Sequence, residues 1–158
     1  HAPLVSDNVD KVYLFGGFDS STNRAFNDLF TFNSSIRQWR EVMVEADLSI
    51  AGALQNPELG KPAPRYQHGF TLIPELNRLY VVGGIRQDLN IESIWYNNDD
   101  VWYIDLNTSP LRWKRVCDSC GGLGSAPYTN VAEAVIRLTN TPNSANFNSY
   151  VLAQRNIK

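Results

Sequence analysis

The sequence predicts an all-β fold, built as an array of four-stranded antiparallel units. Two observations carry this expectation. The first is an internal repeat: His1–Gly17 aligns without a gap on His68–Gly84, so that HAPLVSDNVDKVYLFGG lies over HGFTLIPELNRLYVVGG. The second is its continuation downstream, where Asn27-Asp28-Leu29-Phe30 matches Asp99-Asp100-Val101-Trp102 and Trp39-Arg40-Glu41-Val42 matches Trp113-Lys114-Arg115-Val116. Self-similarity on this scale marks a stacked or radial array, in which each unit buries its faces on its neighbours.

The elements follow from alternation and turn residues. Calling the strands of a unit A to D from the inside outward, the first unit has A at about 1–6, B at 11–16, C at 28–33 and D at 38–43. The second has A at about 67–73, B at 78–83, C at 100–105 and D at 112–117. A third A–B hairpin is expected from Ala132–Thr139 and Tyr150–Gln154, with no C or D strand after it. The units thus span 1–43, 63–117 and 131–155. Strand B of each full unit is expected to close on a glycine pair, where crowding and positive φ both favour glycine. Trp39 and Trp113 on strand D are expected to cover the gap to a neighbouring unit.

The pattern resembles the kelch repeat, the four-stranded blade of a β-propeller. The resemblance rests on Gly16-Gly17 and Gly83-Gly84, the two N/D-D-hydrophobic-aromatic stretches, Trp39 and Trp113, and Pro64-Arg65…His68. It covers residues 1–117. The family's tyrosine ahead of the tryptophan is replaced by Phe32 in the first copy and Ile104 in the second. What the resemblance implies is an incomplete kelch-type propeller segment, because two and a half blades cannot close a ring of at least about four. The expectation is a segment of a longer propeller whose remaining blades come from another chain, a cleaved partner or adjoining sequence. The resemblance implies protein interaction more often than catalysis.

Bulk properties narrow the function classes. The 158 residues carry a formal net charge of −2, and 43% are hydrophobic. That balance points to no nucleic-acid partner, and no apolar run approaches the ~20 residues of a membrane span. No Ser–His–Asp arrangement, phosphate loop or metal-ligand cluster is legible, so no cofactor, no metal and no enzyme activity are expected. Arg65 and His68 are expected to support the start of strand A rather than to catalyse, because His1 recurs at the frame position of His68. Some kelch-like propellers are copper-radical oxidases; two histidines are too few ligands for that chemistry.

The functional expectation is a non-catalytic interaction or assembly module. The D–A and B–C connections (44–62, 18–27, 85–99 and 118–130) are long and should crowd one face, where loops commonly bind. Arg86, Ile94, Trp95 and Tyr96 in the second B–C connection are the candidate partner-binding residues, set against a reading in which Ile94 and Trp95 fold back onto the blade. The 44–62 connection has Asp47 or Ser49 as a start signal for a helical turn. Asn33 and Asn107 begin sequons in the two C–D turns, which would expose an attached glycan. Cys117 and Cys120 are spaced to close a local disulfide, with free thiols as the alternative. Together these favour an extracellular or secretory location, with a cytoplasmic scaffold or substrate adaptor as the alternative. Partners are expected to be a protein or the remaining blades, with a glycan as a further ligand class.

Overall fold

A computed structural model describes residues 4–6, 11–91, 93–118, 133–136 and 150–153. The described residues are all-β, apart from turns and one short 3-10 helix at Pro57–Gly60. The first sheet holds β1 (Leu4–Ser6), β2 (Lys11–Asp19), β3 (Arg24–Asn33) and β4 (Gln38–Glu41), in that order and antiparallel. The second holds β5 (Arg65–Tyr66) and β6 (Gly69–Ile73), both on the inner edge of β7 (Arg78–Gln87), followed by β8 (Trp95–Asp105) and β9 (Trp113–Cys117). A separate antiparallel hairpin pairs β10 (Glu133–Ile136) with β11 (Tyr150–Ala153). The fold is therefore a set of kelch-like blades, and the ring is not closed within this segment.

The core lies between the two blades. Alternation along β2 sends Tyr13 and Phe15 to the face that meets the second blade, where Leu79, Val81, Trp102, Ile104 and Trp113 close over them. Phe15 packs edge-on to Trp113 with ring centroids 5.2 Å apart. The opposite face of the second blade buries Ile73, Tyr80, Val82 and Val101 in a smaller cluster.

The glycine pairs do not end strand B. Gly16, Gly17, Gly83 and Gly84 all have positive φ, and the register slips between Phe15 and Gly17 and between Val82 and Gly84. At each pair a β-bulge sets two residues of the partner strand, Asn27-Asp28 or Asp99-Asp100, opposite one glycine, and pairing resumes beyond it. The expected long B–C connections are thus mostly strand: β2 and β3 pair out to Asp19↔Arg24, and β7 and β8 out to Gln87↔Trp95. Trp95 and Tyr96 belong to β8 rather than to a loop.

Three further expectations are corrected. In β1, Leu4 lies opposite Leu14, whereas in the second blade Phe70 lies opposite Val81, the counterpart of Leu14. The gapless alignment is therefore off by one residue in strand A, because one residue fewer separates the paired positions in the first blade than in the second. A one-residue slip exchanges the faces of a strand. Trp39 is 51% exposed while Trp113 is 2% exposed. Trp113 faces the blade before its own; Trp39 faces the corresponding side of the first blade, where no described residue lies over it. The 44–62 connection is not a free loop. Glu45 forms a parallel bridge with Arg112, and the buried Asp47 carboxylate accepts hydrogen bonds from Lys114 Nζ (3.0 Å) and Arg115 N (3.2 Å), which straps the segment along β9. Its helical turn is the 3-10 helix, capped by Asn56 rather than by Asp47 or Ser49.

Candidate functional site: the projecting hairpins

Both blades extend past their glycine bulges as hairpins, β2–β3 ending in the turn at 20–23 and β7–β8 in the turn at 88–94. Gln87 ties them together. Its Oε1 accepts from Ala25 N (2.9 Å), its Nε2 donates to Asn23 O (3.2 Å), and its own N–H donates to Pro64 O (2.8 Å). One buried amide thus satisfies backbone groups of the neighbouring blade, where an unpaired group would cost about 1–3 kcal/mol. Aromatic packing adds a second tie. Phe18 stacks on Tyr66 at 4.8 Å, and Trp95 stands edge-on to both at 5.5 Å.

The four predicted contact residues separate into two pairs. Arg86 and Tyr96 are directly opposite in register, both exposed, with the guanidinium 5.2 Å from the ring centroid. They form a cation–π pair facing solvent, and Tyr96 is 42% exposed. Trp95, one residue away, points to the other face and is half-buried in the Phe18–Tyr66 cluster. Ile94 is half-buried in the turn, where its N–H bonds Ile91 O and its carbonyl accepts from Asp88 N, both at 2.9 Å. The period of two along a strand decides this split, in line with the reading in which Ile94 and Trp95 fold back onto the blade.

The other end of the blades carries the short turns. Asn33 Oδ1 accepts from Ser35 N (3.0 Å) and Ile36 N (3.2 Å), an Asx turn. Asn107 is exposed; its Nδ2 donates to Asp105 Oδ1 (3.0 Å) and its Oδ1 accepts from Asn77 Nδ2 (2.9 Å). Antiparallel pairing places both asparagines at the opposite end of their strands from the projecting hairpins. Cys117 closes β9, and its expected partner Cys120 lies outside the described residues.

Behind the hairpins, Arg65 and His68 hold the blade together. Arg65 is 0% exposed and forms a two-pronged pair with Asp100, Nη1 to Oδ1 at 2.5 Å and Nη2 to Oδ2 at 2.9 Å. Its remaining donors bond Ala63 O (3.0 Å) and Gly83 O (3.1 Å), and Trp102 Nε1 donates to Asp100 Oδ2 at 2.6 Å. Burial acts to raise the Asp100 pKa, but the Arg65 charge and these hydrogen bonds outweigh it and hold the carboxyl below its usual range. Removing one partner of such a buried pair costs about 3–5 kcal/mol, since the other charge is stranded. His68 is fully buried, its ring edge-on to Phe15 at 5.4 Å. A Cβ on Gly84 would lie 2.7 Å from His68 Cβ and 2.7 Å from Tyr66 O, so glycine there is required by close approach as well as by φ. Burial, then the Arg65 charge, push the His68 pKa down to about 3. Both residues build the start of strand A, as expected, and neither reaches a surface where a substrate could meet it.

A family model, "Kelch motif", matches residues 10–43, the span of β2 to β4 in which the glycine bulge and Trp39 lie. Residues 10–43 carry a kelch motif. The second blade repeats the same bulge, the same aspartate position and the same outer tryptophan. Over 81 residues the chain is 31% identical to Tip elongation aberrant protein 3 of Schizosaccharomyces pombe; the match covers 49% of this chain and 6% of that protein. The chain therefore spans a small part of that relative's length. The aspartate's role as receptor for Arg65, and the linking role of Gln87, were not legible in the sequence. The recurrence of an acid at 28 and 100 was the one available signal for the first.

Proposed function

We propose that this chain is a non-catalytic protein-interaction module whose contact surface is the solvent face of the projecting hairpins, centred on Arg86 and Tyr96. The observation that carries the reading is this exposed cation–π pair on a strand locked from behind by Gln87 and the Phe18–Tyr66–Trp95 cluster. A pre-ordered arginine and tyrosine lose little entropy on binding, and these residue types dominate interface energetics. Trp95 and Ile94 act as the support of the surface rather than as its contact atoms. The kelch family supports interaction as the general role.

The same reading places the protein in the secretory pathway or outside the cell, with glycans at Asn33 and Asn107 on the short-turn end and a Cys117–Cys120 bond after β9. The support is the location of both sequons in exposed turns away from the contact surface. The test is a binding comparison. Arg86→Ala with Tyr96→Ala should weaken capture of a protein partner at least about tenfold, while Asn33→Gln with Asn107→Gln leaves it unchanged and both variants keep the wild-type melting profile. Equal capture by the Arg86/Tyr96 variant would refute the assignment.

A further inference from the structure

Gln87 does more than join the blades, because its side chain stands in for a strand. Ala25 N donates to its Oε1 at 2.9 Å, and its Nε2 donates to Asn23 O at 3.2 Å. One planar amide thus supplies the acceptor and the donor that a neighbouring strand would offer to these two groups. This happens on the outer side of β3, the side that β4 takes up further along. There Val42 N donates to Leu29 O at 2.7 Å, and pairing runs on from Phe30↔Glu41. Between the two contacts, Phe26–Asp28 has no strand on its outer side among the described residues. The gap is set by described chain: β4 and the segment after it are followed from Gln38 to Ile91, and that segment leaves β3 at Val42 to join β9 at Glu45.

A cavity of about 270 Å³ opens beside this gap, lined by Phe26 and Asn27 of β3, Glu58 and Pro64 of the connection, and Gln87 and Leu89 of the second hairpin. Phe26 is 37% exposed and Leu89 is 42% exposed, so two large apolar side chains border it with surface to spare. The volume is below the roughly 300–1,000 Å³ of a pocket that encloses a whole small molecule. Three residues of extended chain, by contrast, span about 10 Å, the length of the gap. Unpaired strand edges are templates for such a chain.

We infer that this cleft seats an extended segment of a partner polypeptide, which continues along β3 the pairing that Gln87 begins and places one apolar side chain between Phe26 and Leu89. The main chain of the segment has the amide chemistry that this edge already accepts from Gln87. A small polar molecule would match the edge but leave Phe26 and Leu89 uncovered; a polypeptide segment satisfies both. The site is distinct from the Arg86–Tyr96 surface and does not depend on it.

The test titrates a blocked alanine-leucine-alanine tripeptide into the intact chain, with backbone amide shifts as the readout. Binding should shift the Phe26, Asn27 and Leu89 amides. It should weaken about tenfold when the peptide's central leucine becomes glycine, and by a similar factor when its backbone nitrogens are methylated. Both changes leave the protein itself untouched. Leu89→Ser, at an exposed position, should weaken the parent peptide while the melting profile stays that of the wild type. The inference is overturned by undetectable binding at millimolar peptide, by equal binding of the methylated peptide, or by shifts confined to Arg86 and Tyr96. Equal binding of the glycine peptide would overturn the apolar contact between Phe26 and Leu89.

Discussion

At the scale of single residues, the two acids at equivalent positions show how context sets charge. Asp100 meets Arg65 and stays ionised; Asp28, partly buried and near Glu41, is harder to ionise. His68 gives this scale its pH signature. Its pKa is about 3 in the fold, against roughly 6.5 when unfolded. The unfolded chain therefore binds the extra proton between these values, and stability rises with pH across that window. The contribution is fully present above about pH 6.5 and is lost as pH falls toward 3, with a limiting slope of about 1.4 kcal/mol per pH unit. Melting curves from pH 7 to pH 4 should show this loss, and His68→Asn should flatten it. An unchanged slope in that variant would mean that other groups carry the acid sensitivity; Asp47, whose pKa is about 2, has its own window lower, between roughly pH 4 and 2.

At the scale of elements, the bulge is the decisive device. Positive φ at both glycines of each pair accommodates an extra residue on the partner strand without ending either strand, so each B–C hairpin grows past the blade. The sequence showed the glycines but not this outcome. Phe18-Asp19 and Arg24-Ala25 read as loop because a polar run, Ser20–Asn23, lies between them. Pairing with the adjacent strand overrides that local signal. The 44–62 segment behaves in the same way: its polar and glycine-rich composition reads as an excursion, yet Asp47 draws it onto β9 through Lys114 and the Arg115 amide. Contacts separated by more than 60 residues set the path of this strap and of the Gln87 link between blades.

At the scale of the whole molecule, the two outer tryptophans have different surroundings. Trp113 is sealed against Phe15, whereas Trp39 faces outward beside Phe32, 5.2 Å away. The same residue type at the same repeat position should therefore differ in energetic weight. Trp113→Ala should cost about 3–5 kcal/mol in denaturant unfolding of this chain, and Trp39→Ala about 1 kcal/mol or less, as for an exposed site. Equal costs would show that Trp39 is covered after all.

The sequence by itself determined the all-β class, the blade repeat, the positions of the glycine pairs and the structural role of Arg65 and His68. These are local or recurrent signals: alternation with period two, glycine where φ must be positive, and a residue pattern written twice. Only the tertiary structure decided the register of β1, the burial of one tryptophan and exposure of the other, the division of Arg86 and Tyr96 from Trp95 and Ile94, and the pairing of Arg65 with Asp100. Each of these depends on which strand or blade lies alongside. A neighbour distant in the chain leaves no periodic trace in the residues that it covers.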